Sequence, residues 1–213
     1  ARKLIFILCL PLVDGVFATL LVTGAIETFS DMVAISLTVF TGAGALAMLY
    51  SASECAEDAK RMVRQAAPYL VLGAAAVSLI APIFEQLFFI QRLRYAAGLA
   101  LIVIAMNMAG IDLAEKLSVP AVLLTGVMLS VKNPGSLVLS LEYVFPALAT
   151  TSLALIALYG ASRLDVSRMN LDYINKGGAI VLTGIALSMY GFSIPSEFSL
   201  AVFALSVVAS YRR

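Results

Sequence analysis

The chain has 213 residues, 62% of them hydrophobic and only 13% charged, with a net charge of +1 and a mean hydropathy of +1.00. A soluble domain is about a quarter charged, so the polar surface here is too small to coat a water-soluble body. A near-zero net charge argues against a nucleic-acid partner, which requires a clustered basic face, and the lack of histidine excludes His-based zinc sites and Ser–His or Cys–His catalysis within these residues.

Spanning a bilayer core takes about 20 helical residues. Apolar runs of near that length occupy 4–26, 32–53, 67–90, 94–111, 117–131, 136–161, 177–193 and 197–211. None alternates as the strands of a membrane barrel do. The expected fold is all-α: a polytopic transmembrane bundle of about eight helices.

The first run follows Arg2 and Lys3. It starts as a signal peptide does, but it continues to Ile26 with no small-residue cleavage site after a short core, so it reads as a retained first span. Asp14 lies about 16 Å into this helix, near the midplane. A charged side chain there costs at least about 3 kcal/mol, so it must be protonated, paired or wet. It is the first candidate for an ion or proton pathway; the plainer reading is a neutral carboxyl bonded to a nearby hydroxyl. Cys9, in the same run, and Cys55 are far apart and read as small apolar residues.

Next comes VTGAIETFSD (22–31). Gly24 weakens the helix, while Glu27 and Asp31, four apart, would share a face if helical and could form a cation-attracting mouth. The polar stretch SECAEDAKRMVRQ (53–65) reads as an inner loop. The third run ends with Glu85, and the fourth holds Asn107, expected to hydrogen-bond between helices. In LSVKNPGSLVLSLEY (129–143), Asn133-Pro134-Gly135 breaks the chain again. Lys132 stands beside that break as a partner for Glu27, Asp31 or Glu142, and Glu142 lies about 9 Å below the outer boundary. A second polar stretch, 162–176, also reads as an inner loop. With the N-terminus inside, eleven of the fourteen Lys and Arg residues fall on the inner side. That bias predicts a multi-pass protein of the cell membrane with both termini cytoplasmic.

Two internal spacings compete. At 109, LAMLYSAS (46–53) matches LIALYGAS (155–162), and Asn133-Pro134 falls opposite Gly24-Ala25. This divides the chain into parallel halves, 1–116 and 117–213. At 81, LRYAAGLALIVIAMNMAG (93–110) matches YINKGGAIVLTGIALSMYG (173–191), which would make oppositely running helices equivalent. The spacing of 109 pairs more of the helices. Matched helix breaks line substrate paths in many transporters; two plain hairpin loops are the other reading.

Asp14-Gly15-Val16-Phe17-Ala18 shares part of a membrane phosphatidyltransferase signature, but Thr19 stands where an arginine is needed and metal ligands are missing, so an enzyme is not expected. RLRYAAGLALIVIAMNMAGIDL (92–113) resembles a helix of MarC-type membrane proteins. SVPAVLLTGVMLSVKNPGSL (118–137) resembles the second-half helix of that family, or the Asn-Pro break of LysE-type exporters. The resemblance covers about a third of the chain. It implies a small prokaryotic multi-pass transporter built as two repeats. The expected function is therefore export or transport of a small solute or cation, coupled to protons or ions through Asp14. The path would run by Gly24, Glu27, Asp31, Asn133, Pro134 and Glu142, with Glu85, Asn107 and Lys132 behind them. The expected partners are the lipid bilayer and the solute, with room for a homo-oligomer; no cofactor is expected, and no metal is specified. The alternative is a non-catalytic membrane subunit or scaffold.

Overall fold

A computed structural model describes residues 2–13, 15–41, 45–46, 49, 51, 53, 55–111, 117–132, 141–163 and 170–211. Among them the fold is all-α, apart from one isolated antiparallel bridge between Phe88 and Val131. The first apolar run does not form one helix. Helix α1 (Arg2–Val13) ends, Gly15 adopts φ +81°, and α2 (Val16–Val22) starts afresh with the two axes 44° apart. A left-handed backbone suits glycine, which has no Cβ to clash. Every residue of α2 is buried.

A turn over residues 23–28 reverses the chain into α3 (Phe29–Ile35), which opens on a capping box between Thr28 and Asp31. Without a break, α3 widens into one π-helical turn, Ser36–Phe40, where the Thr41 N–H donates to the Ser36 carbonyl five residues back at 3.0 Å. Phe17 at the start of α2 meets Phe40 at the end of the π turn, edge to face, with centroids 5.1 Å apart. Residues 16–40 thus form a closed hairpin whose two legs are mostly buried.

Helix α4 (Ala56–Leu87) has 32 residues, about 48 Å at 1.5 Å per residue. It absorbs most of the segment expected to be a polar loop. Glu57 and Asp58 complement the dipole in its first turn, and Lys60 pairs with Glu57 at 2.6 Å. The charges there decorate a helix rather than break one. Cys55, read from sequence as an apolar filler, is exposed just before this helix. Two residues separate α4 from α5 (Ile90–Met108). Helix α6 (Val119–Ser130) carries Pro120 in its first turn, where the missing N–H does no harm. Then come α7 (Val144–Ala161), α8 (Leu171–Met189) with Asn170 as N-cap, and α9 (Ser196–Ser210). The second expected loop is likewise helical from Leu171, where Lys176 bonds Asp172 at 2.7 Å.

Eight spans were expected from the apolar runs. Among the described residues, two helices, α4 and α7, are long and apolar enough to cross a membrane, or three if the bent pair α1–α2 counts as one. Helices α5 and α8 have the length, at 19 residues each, but their first two turns carry Arg92 and Arg94 or Asp172 and Lys176, which lowers their mean hydropathy. Helix α6 is simply short, at 12 residues.

The core is hydrophobic, and the exterior carries many large apolar side chains as well. Leu72, Phe145, Ile156 and Leu205 are 67–74% exposed, while Thr19, Thr23, Ser36, Thr38, Thr41, Ser78, Thr150 and Thr151 are buried. Among the described residues the buried hydroxyls bond back to nearby carbonyls. Thr19 donates to the Gly15 carbonyl at 2.8 Å, Thr38 to that of Ala34 at 2.6 Å and Thr151 to that of Ala147 at 2.9 Å, each within its own helix, a back-bond that satisfies the proton locally.

Candidate functional site

The predicted site residues fall in separate places. Asp14, Asn133 and Pro134 lie outside the described residues. Gly24 sits in the hairpin turn with φ +75°, and a Cβ there would run into the Glu27 carboxylate, so Glu27 folds back over the glycine. Glu27 and Asp31 do not share a helical face, because the helix begins between them. Thr28 is the N-cap, and Asp31 Oδ2 accepts from the Thr28 N–H at 3.0 Å and from its hydroxyl at 2.7 Å. In return Thr28 Oγ1 accepts from the Asp31 N–H at 3.2 Å. Thr28→Ala should cost about 1 kcal/mol of stability, read as a lower midpoint in detergent unfolding.

Glu85 lies elsewhere, where the end of α4 reaches Tyr143, the neighbour of Glu142 at the start of α7. The Tyr143 hydroxyl donates to Glu85 Oε2 at 3.0 Å. Burial, helped by Glu85 and Glu142, raises the Tyr143 phenol above its ordinary range, so it stays a proton donor. Tyr143→Phe should cost at most about 1 kcal/mol, since the bond is exposed, measured by the same unfolding. Lys132 stands over the Phe89 ring at 6.0 Å, and its backbone N–H donates to the Leu87 carbonyl at 2.9 Å. Asn107 is exposed on α5 rather than set between helices.

The hairpin turn closes over a small polar cavity. Gly24, Ala25 and Asp31 face Gly184, Ile185, Ser188 and Met189 of α8, with Ile194, around a cavity of about 40 Å³. That is room for a water or a small dehydrated ion. The capping geometry engages Asp31 Oδ2, while Asp31 itself lines the cavity. Gly184 and Ser188 read from sequence as packing residues. Nothing in an Ala-, Leu- and Gly-rich helix distinguishes a lining position from a contact; only the position of the opposing turn does. The π turn in the second leg was equally invisible. It shifts the hydrogen-bond register among Ser36, Thr38 and Thr41, and such turns recur at functional sites.

Comparison with known families supplies the other observation. The sequence profile of DUF5794, a family of unknown function, matches residues 70–190, more than half of the chain. The chain belongs to DUF5794. No curated protein matches it, and no solved structure does. The DUF5794 match takes in α5, α6, α7 and α8, including the cavity wall on α8, and starts downstream of the hairpin.

Proposed function

We propose that this DUF5794 protein is an integral membrane transporter or exporter of a small solute or cation. The carrying observation is the buried, twice-broken hairpin: short helices α2 and α3, a left-handed glycine at each of residues 15 and 24, and a polar cavity where its turn meets α8. Irregular backbone at membrane depth is tolerated only when it faces protein or a watery cavity, and interrupted helices present backbone groups to substrates. The apolar exterior supports embedding in lipid, with α5, α6, α8 and α9 completing the bundle beside α4 and α7. The charge bias supports cytoplasmic termini, and coupling through Asp14 follows from its cost in hydrocarbon.

The test is a flux screen in proteoliposomes against protons, divalent cations and amino acids. Transport of one class above that of protein-free liposomes is expected. Folded protein that moves none of them would leave a membrane subunit or scaffold as the better reading.

A further inference from the structure

Several contacts recur at a spacing near 81. Helices α5 and α8 have 19 residues each, and each is followed by a left-handed glycine, Gly110 at φ +75° and Gly191 at φ +95°. The residue before each helix donates to the last residue of the helix packed beside it: the Phe89 N–H to the Ser130 carbonyl at 2.7 Å, and the Asn170 N–H to the Ser210 carbonyl at 2.8 Å. A tight contact within each pair falls at the same level. A Cβ on Gly126 of α6 would run into Ala96 of α5, and one on Gly177 of α8 would run into Ser206 of α9. The buried faces correspond as well: Leu93, Ala97, Leu101 and Ala105 on α5, against Ile174, Gly178, Leu182 and Ala186 on α8.

The two helices of that match run in opposite directions. Tyr95 near the start of α5 stacks on Tyr190 at the end of α8, centroids 5.6 Å apart, and Tyr190 donates to the Tyr95 carbonyl at 2.9 Å. At the other end, Met108 reaches Gly178. Helices α4 and α7 pack together with the end of one at the start of the other, through Glu85 and Tyr143. The hairpin follows the same division: α2 packs on α4 and α5, whereas α3 and the π turn pack on α7 and α8.

We infer that α4–α5–α6 (56–130) and α7–α8–α9 (144–210) are an inverted repeat, related by a two-fold axis across the helices, and that the hairpin Val16–Phe40 lies on their interface with one leg against each half. Resting on the transporter reading, its second part is that the halves exchange conformations and expose the hairpin alternately to the two faces of the membrane. This division differs from the parallel halves that the spacing of 109 suggests. Equivalent elements in opposite orientation supply two mirrored states from one set of contacts, and interfaces between such repeats house transport sites.

The repeat is tested with spin labels on exposed positions. The Arg92–Ile180 and Leu99–Tyr173 pairs exchange under the two-fold axis, so their distance distributions should coincide; clearly different means overturn the repeat. The exchange is tested in protein with Cys9→Ala and Cys55→Ala, carrying Thr19→Cys on one leg or Thr38→Cys on the other. Gly126→Val wedges α5 from α6, and Gly177→Val wedges α8 from α9. Labelling by a membrane-impermeant maleimide should shift about fivefold toward one face with the first wedge and toward the opposite face with the second, a coupling of ordinary size. Shifts to the same face, or none, overturn the exchange, and the distance measurement stands if a wedged variant fails to fold. Opposite shifts without flux of any solute would sink the transporter reading and leave the repeat intact.

Discussion

Phe17→Ala should lower the unfolding free energy by about 3 kcal/mol, measured in detergent micelles. Phe17 is 0% exposed and Phe40 1%, and their edge-to-face contact closes the open end of the hairpin. Lipid tails are as apolar as the ring, so little of the loss comes from transfer out of water. It comes from dispersion contacts that a void cannot replace. Hairpin legs of seven and twelve residues are too short to persist without such contacts. Phe6→Ala is the control: Phe6 is 70% exposed and leaves no cavity, so its midpoint should stay within about 0.5 kcal/mol of the parent.

Asp14→Asn should abolish coupled flux, by at least about tenfold, while leaving the folded state intact. Asparagine keeps the size and hydrogen-bonding capacity of the carboxyl but cannot take up or release a proton. A carboxylate in hydrocarbon is too costly to stay charged without water or a partner, and the sequence sets Asp14 inside an apolar run. The measurement is the initial rate of solute uptake under an imposed proton gradient, beside the unfolding midpoint. Unchanged uptake would remove Asp14 from the coupling; a fallen midpoint would assign it to structure.

The all-helical character was legible because long apolar runs without alternation leave no other choice. Helix boundaries were not. The segment 56–65 reads as polar because its charges dominate the count, yet Glu57 and Lys60 are spaced to pair on a helix and do so. The break at residue 15 was not legible: the apolar run reads as one helix through Asp14-Gly15 to Ile26, and the burial of α2 depends on α4 and α5 packing over it. At the cavity, Gly24 and Asp31 stood out as unusual residues, while Ser188 and Gly184 could be recognised only from the opposite wall. Both internal spacings rest on similar small apolar words. Contacts such as Phe89 to Ser130 and Asn170 to Ser210 join residues far apart in the chain, and the inferred repeat near 81 rests on them.

The buried hydroxyls that bond back within their own helices bear on biogenesis. In a bilayer, a long helix whose buried Ser and Thr protons are satisfied in this way needs no neighbour to arrive first. The hairpin does, since α2 is about 10 Å long and reaches neither leaflet boundary by itself. In a bilayer, the hairpin must wait for α7 and α8, made more than a hundred residues after it, before its slot exists.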